Sequence, residues 1–410
     1  MIKGFKNISN LVTLEGCLNK GGRRVKDKDL SIIENGSVIF DSNEILWVGK
    51  TGEIPGEYNN SSSLFHDLTG HTLTPEIVDS HTHLVFGGNR SGEYTQRLRG
   101  ADYEEIANSG GGILSTVNST LQASETELFE TAVKRIERIA SYGVGTIEIK
   151  SGYALTLDKE LLITKVISDL KKYFNSRVNI FNTYMAAHAI PKEFSSGRAY
   201  LDAIVLPGLS EAKKQYSIDA ADIFHERGYF SSEDTEYFFK KCIELGVPIK
   251  SHADEFNDNK GAILATRYNA LSCDHLLKTS KDGIEALSKS DTVATILPGT
   301  GFFLGKEQSN ARALWDGGAR VALASDYNPG SCHCDNLLLI ASIAAPSLKL
   351  SLSEVWCSLT LNASYALGLK NQGALVVGRL PRFSLFETPQ LDEITYNWGR
   401  NLATSLKPYY

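Results

Sequence analysis

The chain has 410 residues, of which 42% are hydrophobic, enough for one large domain and a smaller one. Its formal net charge is −6 and it contains no long run of Lys or Arg, so we expect neither a nucleic-acid partner nor an anionic membrane surface. The N-terminus does not resemble a secretory signal, no window approaches the ~20 apolar residues of a membrane span, and the six cysteines are scattered. We therefore expect a cytoplasmic protein with reduced thiols.

The N-terminal segment, residues 1–72, contains short alternating stretches separated by Gly and Asn. These stretches predict small antiparallel strands at Leu11–Leu14, Ser37–Phe40, Glu44–Val48 and Thr72–Thr74. We interpret the segment as the N-terminal part of a minor β-domain.

The motif His81-Thr82-His83 directly follows the short apolar run Ile77-Val78-Asp79-Ser80, which predicts a buried strand. Side chains at positions i and i+2 of a strand point to the same side, so both imidazoles converge on one point. Neutral imidazole is the commonest metal ligand in proteins. The motif therefore predicts part of a metal site at the end of a strand.

From residue 143 onward, apolar runs alternate with helical patterns. Seven further strands are predicted at Val144–Ile149, Val178–Ala187, Ala221–Phe224, Val247–Ile249, Ala270–Cys273, Thr292–Leu297 and Ala319–Ala324. Helical spacing of apolar residues occurs, for example, over Thr126–Tyr142, Leu157–Tyr173, Ser232–Leu245 and Lys281–Lys289. Eight such repeats predict an α/β fold, a (β/α)8 TIM barrel over residues 73–368, with the active site at the carboxyl ends of the strands.

The C-terminal segment, residues 369–410, follows a helical run over Leu352–Leu367 and returns to strand-like patterns. Strands are predicted at Ala374–Val377 and Phe383–Phe386. We predict that this segment pairs with residues 1–72, so that both ends of the chain form one composite β-domain beside the barrel.

Four potential ligands lie at or just beyond the ends of predicted strands, namely His81, His83, His252 and Asp326. This set suits one divalent ion, since zinc accepts three or four N and O ligands and ferrous iron or manganese also fits. Such an ion lowers the pKa of bound water from about 15.7 toward about 7. Each residue alone has a structural alternative, such as a hydrogen-bonded His or an Asp that starts a turn. Their coincidence at strand ends favours the metal site.

One ion rather than two is expected. Barrel hydrolases with two metals often use a modified lysine on strand 4, but that strand ends at His225-Glu226. Lys150 lies on strand 2 and is interpreted as an ion-pair residue or as a residue that supports the ligands. His275 then becomes a candidate general base or transition-state stabiliser, with a further metal ligand as the alternative.

Five segments together resemble the imidazolonepropionase family of the metal-dependent amidohydrolase superfamily. They are His81-Thr82-His83-Leu84-Val85-Phe86-Gly87-Gly88-Asn89-Arg90, Lys150-Ser151-Gly152-Tyr153, His252-Ala253-Asp254-Glu255-Phe256, Leu297-Pro298-Gly299-Thr300 and Asp326-Tyr327-Asn328-Pro329-Gly330-Ser331. The resemblance extends over roughly residues 70–370. His-x-His alone marks only the superfamily, whereas the other segments are more specific.

The resemblance implies hydrolysis of 4-imidazolone-5-propanoate to N-formimidoyl-L-glutamate, the third step of histidine degradation. It implies a metal site formed by His81, His83, His252 and Asp326, holding one ion, Zn²⁺ or iron as Fe²⁺ or Fe³⁺. It implies substrate contacts from Arg90, Tyr153, His188, Glu255, Asn328, Gly330 and Ser331, and a catalytic role for His275. A homodimer is a candidate assembly from the resemblance alone.

Arg90 offers a planar fork for the carboxylate of a small anionic substrate. Its structural alternative is a surface salt bridge, which stabilises by only ~0–1 kcal/mol. Tyr153 and His188 end strands 2 and 3, close enough to hold the ring or the propionate arm.

Three residues are predicted to carry the acid–base chemistry. We expect Asp326 to accept the proton of the attacking water, and His275 to stabilise the developing oxyanion. Glu255 is expected to hydrogen-bond the ring nitrogens and pass a proton to the leaving nitrogen. The alternative for Glu255 is a residue that orients His252.

Two features depart from the family pattern. Cys332-His333-Cys334 is interpreted as a plain loop, because three crowded ligands make a poor zinc site. The tail Gly378–Leu385 lacks the Ala-Asp-Leu-Val type of strand, which leaves its pairing open. Another amidohydrolase, such as a guanine- or cytosine-type deaminase or an N-acyl sugar deacetylase, is the alternative enzyme. A non-catalytic metal-binding barrel is the alternative from another class.

Overall fold

A computed structural model describes residues 2–59, 65–101, 105–106 and 111–405. Fifteen strands occur in this part of the chain: β1 (Lys3–Val12), β2 (Ile32–Phe40), β3 (Ile45–Lys50), β4 (Phe65–Asp67), β5 (Thr72–Pro75), β6 (Ile77–Asp79), β7 (Val144–Lys150), β8 (Asn179–Ala187), β9 (Ala220–His225), β10 (Ser251–Ala253), β11 (Ser272–His275), β12 (Val293–Ile296), β13 (Val321–Leu323), β14 (Phe383–Phe386) and β15 (Ala403–Thr404).

The described α-helices are α1 (Glu15–Asn19), α2 (Gly56–Asn59), α3 (Ser91–Leu98), α4 (Ile113–Gln122), α5 (Glu125–Ser141), α6 (Leu157–Phe174), α7 (Gly197–Tyr200), α8 (Leu206–Gln215), α9 (Ser232–Glu244), α10 (Gly261–Arg267), α11 (Lys281–Ser288), α12 (Pro298–Leu304), α13 (Ala311–Gly317), α14 (Leu337–Ser347), α15 (Leu352–Leu359), α16 (Leu361–Ala366) and α17 (Leu391–Tyr396). None of the helices in the described ranges is long and apolar enough to cross a membrane.

Strands β6 to β13 form one eight-stranded parallel sheet in sequence order. The first and last strands meet at their carboxyl ends. There, the Asp326 backbone N–H donates to the His81 carbonyl (3.0 Å), and the His83 N–H donates to the Tyr327 carbonyl (2.9 Å). The predicted (β/α)8 TIM barrel is confirmed, and two predicted metal ligands are bonded through their backbones at the closure.

Helix α5 illustrates how the sequence forms the outer layer. Ser124 caps the helix by accepting from the Glu127 N–H while Glu127 reaches back to the Ser124 N–H. The buried residues follow helical spacing at Leu128, Ala132, Arg135, Ile136 and Ile139. This face packs on the barrel, which fixes the helix against strand β7.

The second sheet joins the two ends of the chain. Strand β14 pairs antiparallel with both β5 and β15, and β5 pairs with β1. An apolar core lies on this sheet, formed by Phe5, Ile8, Leu11, Val38, Phe40, Ile45, Leu68, Leu73, Leu375, Phe383 and Leu385. The pairing of N- and C-terminal segments is as expected, whereas the domain boundaries at 72/73 and 368/369 stay a prediction. The last five residues of the predicted C-terminal segment lie outside the described residues.

The predicted strand at Thr72–Thr74 is part of β5, which pairs antiparallel with β14 and parallel with β1. One secondary-structure prediction near the chain ends is wrong. Ala374–Val377 is not a strand. The Leu375 N–H donates to the carbonyl of Thr13, just after β1, and the N–H of the following Gly378 donates to the carbonyl of Ile45 at the start of β3. The segment therefore pairs with neither strand along its length.

Two further predictions miss a boundary. The run Leu352–Leu367 is divided between α15 and α16 at Thr360, whose backbone (φ −125°, ψ −84°) leaves the helical region. The sequence predicts a strand at Val247–Ile249 before His252, but regular pairing covers Ser251–Ala253, and Ile249 makes only an isolated bridge.

Candidate metal centre and active site

The four predicted metal ligands meet at the carboxyl end of the barrel. His81 Nε2 lies 3.5 Å from Asp326 Oδ1, and His83 Nε2 lies 3.9 Å from the same oxygen. His83 Nε2 is also 3.3 Å from the Nε2 atom of His252. All four residues are at least 98% buried. Strands and loops far apart in sequence therefore direct four ligand atoms to one point.

The distances fit a shared ion. Two nitrogens bound to one Zn²⁺ at about 2.0–2.1 Å and a tetrahedral angle are about 3.3–3.4 Å apart. Among the described residues, the buried His81 Nε2 atom has no hydrogen-bond partner, which is costly unless a ligand satisfies it. The donors His81, His83 and His252 lie within 4.8 Å of one another, as do those of His81, His275 and Asp326.

Two buried aspartates face the imidazoles from below. Asp274 Oδ2 lies 2.7 Å from His81 Nδ1, and Asp222 Oδ2 lies 3.1 Å from His252 Nδ1. A carboxylate at one ring nitrogen fixes the tautomer and leaves the lone pair on the other nitrogen. Nε2 of His81 is thereby presented to the ligand cluster, and the charge contact of Asp222 with Nδ1 of His252 favours the same orientation of the second ring.

These aspartates belong to a buried charge cluster, which we define as Glu148, Lys150, Asp222, Lys250 and Asp274. All five residues are fully buried. Lys150 Nζ lies 2.6 Å from Asp222 Oδ2 and 3.0 Å from Glu148 Oε2. Lys250 Nζ lies 2.9 Å from the same Glu148 oxygen and donates to the Ser80 carbonyl. The ion-pair interpretation of Lys150 is confirmed.

The electrostatics favour neutral imidazoles at the centre. Burial lowers the pKa of His81, His83 and His275 well below the ordinary range. Neutral imidazole is the form that binds metals. Burial raises the pKa of Asp326 to about 6, a cost that a cation beside this carboxylate would offset.

In the charge cluster, pairing decides the charge states. Burial alone would lower the pKa of Lys150, but Asp222 and Glu148 outweigh it and raise that pKa. Burial would likewise raise the pKa of Asp222, but Lys150 holds it well below its usual value. Asp222 is therefore a carboxylate when it faces His252.

The three predicted acid–base residues lie around the ligand cluster. Asp326 Oδ2 accepts a hydrogen bond from the Thr300 hydroxyl (2.5 Å), which leaves Oδ1 facing the imidazoles. Glu255 Oε2 lies 3.7 Å from His275 Nε2. Burial, then the charges of Asp326 and Glu226, raise the pKa of Glu255 well above its usual value, which favours the protonated carboxyl.

Arg90 is a buried ion-pair residue, not a surface one. Its Nε and Nη2 atoms lie 2.8 and 2.7 Å from Glu93 Oε2. Its Nη1 atom packs against Gly330, where a Cβ would lie only 1.8 Å away. The predicted fork is thus partly taken by Glu93, and Gly330 makes the space that the guanidinium fills.

Tyr153 and His188 form an aromatic wall beside the ligands. The His188 ring stacks on His83 with centroids 4.9 Å apart, and Tyr153 lies 5.2 Å from His188. His188 Nδ1 lies 3.1 Å from the Gly152 carbonyl. Burial lowers the pKa of His188 to about 3, so the ring is neutral and donates this bond.

The loop after β13 holds the remaining predicted contacts. The Asn328 amide accepts from the Gly330 and Ser331 N–H groups and donates to the Asp326 carbonyl and the Ser331 hydroxyl. The Asn328 side chain therefore shapes this loop, and Ser331 Oγ lies 3.4 Å from Asp326 Oδ2.

Several residues that shape the site were not predicted from the sequence. They are Glu93, Glu148, Asp222, Lys250, Asp274 and Thr300. Asp222 and Glu148 are charged residues within otherwise apolar strands. Because a buried charge needs a partner, such a residue in the sequence indicates an ion pair or a ligand contact. His333, between Cys332 and Cys334, stacks on Tyr327 (5.1 Å), and all six cysteines are unpaired.

Comparisons with known proteins identify the family. The chain is 39% identical to an imidazolonepropionase of Bdellovibrio bacteriovorus over 377 residues, covering 92% of this chain and 88% of that protein. It is 40% identical to an imidazolonepropionase of Bacillus mycoides over 398 residues, covering 96% and 92%. The chain belongs to the imidazolonepropionase family.

The other comparisons add the fold alone. A guanine deaminase of C. acetobutylicum, solved with bound guanine, superposes with a TM-score of 0.69 at 16% identity, covering 98% of both chains. No family model matches the sequence. Family membership therefore rests on the relatives, and the barrel architecture is shared with the deaminase.

Proposed function

We propose that this protein hydrolyses 4-imidazolone-5-propanoate to N-formimidoyl-L-glutamate, the third step of histidine degradation. The observation that carries the proposal is the identity of 39–40% with imidazolonepropionases over more than nine tenths of the chain. The site supports it, because His81, His83, His252 and Asp326 converge on one point and the buried Arg90 guanidinium packs against Gly330 in the loop that follows Asp326. Ring opening adds water across the amide: oxygen joins the carbonyl carbon, and the ring nitrogen leaves with a proton.

One metal ion would be held by His81, His83, His252 and Asp326. A Zn²⁺ or iron ion, as Fe²⁺ or Fe³⁺, supplies Lewis acidity for the attack of water on a carbonyl carbon. His275 lies close enough to His81 and Asp326 to be a further ligand, but its 3.7 Å approach to Glu255 supports a role toward the substrate.

The remaining residues supply positioning and proton transfer. Asp326 accepts the proton of the attacking water, while the neutral His275 donates to the developing oxyanion. Glu255, whose pKa is raised by burial, hydrogen-bonds the ring and passes a proton to the leaving nitrogen. Tyr153 and His188 contact the substrate ring, and Arg90 binds the propionate. The propionate arm is lined by Asn328, Gly330 and Ser331.

The deciding experiment compares two substrates. Purified protein loaded separately with Zn²⁺ or Fe²⁺ should remove the ultraviolet absorbance of imidazolone propanoate and release no ammonia from guanine. Elemental analysis should find one ion per chain. Ammonia release from guanine without imidazolone turnover would favour the deaminase, and two ions per chain would contradict the single-metal site.

We further propose a cytoplasmic enzyme that acts on a small anionic substrate, assembles as a homodimer and binds neither nucleic acid nor membrane. The unpaired state of all six cysteines supports a reducing compartment. The net charge of −6 supports the absence of a polyanionic partner.

Substitution of the aspartates behind the imidazoles should weaken metal binding. Asp222→Asn and Asp274→Asn are each expected to lower the affinity for Zn²⁺ by about 10–100-fold, because the imidazole loses the partner that orients it. Competition with a chromophoric chelator measures this directly. Glu160→Gln is the matched control, equally buried but bonded to the backbone of residues 152, 154 and 155; an equal loss there would contradict the role.

Gly330→Ala should impair substrate binding without unfolding the protein. The new Cβ would displace the Arg90 guanidinium, the end of a flexible side chain. A charge-assisted hydrogen bond contributes roughly 1.5–3 kcal/mol, so we expect KM to rise about 10–150-fold. Gly92→Ala is the control, since none of the residues that the structure describes lies within 4 Å of its Cβ position. Equal KM values for the two variants would refute the contact.

A further inference from the structure

Glu226 follows strand β9 and has no role in the chemistry described above. Its side chain is buried, with only 1% of its surface exposed. Its carboxylate nevertheless reaches across to the loop that follows strand β10. That loop, residues 254–260, carries Glu255.

The Glu226 carboxylate accepts hydrogen bonds from backbone and side-chain groups of this loop. Oε2 accepts from the backbone N–H of Phe256 (2.8 Å) and of Asn257 (3.3 Å). Oε1 accepts from the side-chain amides of Asn257 (3.1 Å) and Asn259. One carboxylate thus binds the residues that directly follow Glu255.

The loop has a second anchor on the other side of Glu255. Asp254, at φ +53°, accepts from the N–H groups of Asn259 and Gly261 and from the Thr279 hydroxyl. Apolar packing contributes less, since Phe256 is 43% exposed. Hydrogen bonds to carboxylates therefore set where the loop lies.

We propose that Glu226 is a positioning residue that holds Glu255 against His275 and the substrate ring by clamping the backbone at residues 256 and 257. The inference deepens the proposed function and rests on it for its kinetic part. The side-chain bonds of Glu226 within the described residues go to its neighbour Arg227 and to the loop at residues 256–259, so its influence passes through Glu255. Its negative charge near Glu255 acts in the same direction, because it favours the protonated carboxyl.

The closest comparison within the chain is Glu160. It is fully buried and accepts from the N–H groups of Gly152 (3.0 Å), Ala154 (2.7 Å) and Leu155 (2.9 Å), around Tyr153. Glu160→Gln therefore disturbs a different loop with the same chemistry. It is the matched control for Glu226→Gln.

The test is a double-mutant cycle with Glu255→Gln. In Glu226→Gln, an amide donor faces the loop donors, so we expect kcat to fall about 10–100-fold, with KM within threefold and metal content unchanged. In the Glu255→Gln background, Glu226→Gln should have no further effect. Glu160→Gln should keep its full effect there. The inference would be overturned if the kcat losses of Glu226→Gln and Glu255→Gln multiplied in the double variant. It would also be overturned if Glu226→Gln alone left kcat unchanged.

Hydrogen exchange provides a readout that needs no turnover. Amide exchange at residues 256 and 257 should accelerate in Glu226→Gln but not in Glu160→Gln; unchanged rates there would also overturn the inference. Should Glu226→Gln fail to fold, Asn259→Ala removes one bond to the carboxylate and should give a smaller kcat loss that also vanishes with Glu255→Gln. Failure of the proposed function would appear differently, as absent turnover in the unsubstituted protein.

Discussion

Asp326→Asn is expected to lower kcat by a factor of about 10² to 10⁴, the range in which a positioned proton acceptor contributes. Thr300 holds one carboxylate oxygen and the other faces His81, so the substituted amide keeps the shape of the site. An amide nitrogen cannot take the proton of the attacking water. The measurement is turnover of imidazolone propanoate per bound metal ion, with the ion content determined on the same sample.

Asp316→Asn is a suitable control for this substitution. Asp316 pairs with Arg312 on the outside of the barrel, and 67% of its side chain is exposed. Its replacement should leave kcat unchanged. Full turnover by Asp326→Asn with metal still bound would reject the role of Asp326 as proton acceptor.

Lys150→Met is expected to destabilise the folded protein by about 3–5 kcal/mol, the cost of removing one partner from a buried ion pair. The substitution leaves Glu148, Asp222 and Asp274 with Lys250 as the remaining cation of the charge cluster. With one lysine for three buried carboxylates, some of the carboxylates must either stay charged without a cation or take up protons. The free energy of unfolding should be measured by chemical denaturation of the metal-free protein, which separates this effect from metal binding.

An exposed lysine gives the comparison. Lys165 pairs with Glu125 and Asp169, but 39% of its side chain is exposed, so Lys165→Met should cost no more than about 1 kcal/mol. Comparable stabilities of the two variants would show that the charge cluster is not a buried, coupled unit.

The barrel and its ligand cluster were predictable because their signals are local. An apolar run that ends in His81-Thr82-His83 predicts a strand whose two imidazoles point to the same side at its carboxyl end. The barrel geometry brings the carboxyl ends of the strands together. The same signal predicts His252 and Asp326, although His252 lies within β10 and only Asp326 follows its strand. Their proximity was expected, and the structure supplies the distances.

The orienting aspartates were not predictable in this manner. Asp222 and Asp274 lie within or beside apolar strands, and their partners come from other strands. Nothing in the local pattern tells which imidazole or lysine a buried carboxylate will meet. The same holds for Glu93, since the interval to Arg90 is typical of any helix surface until burial is known.

The failed strand at Ala374–Val377 has a different origin. Ala374 and Leu375 are buried but Val377 is 63% exposed, and the N–H groups of Leu375 and the following Gly378 donate to two different partners, the carbonyls of Thr13 and Ile45. Alternation reports burial of side chains, whereas a strand also needs one continuous neighbour.

The joining of the two chain ends in one sheet has a consequence for biosynthesis. The Ile77 N–H donates to the Ser384 hydroxyl, 307 positions away, at the point where β14 lies along β5. At roughly 5–20 residues per second, a ribosome needs about 15–60 s to translate that interval. During this time the edge of the nascent β5 lacks its partner strand β14, so the unfinished chain is a substrate for chaperones. Premature termination before β14 would leave the edge open for good and yield an aggregation-prone product.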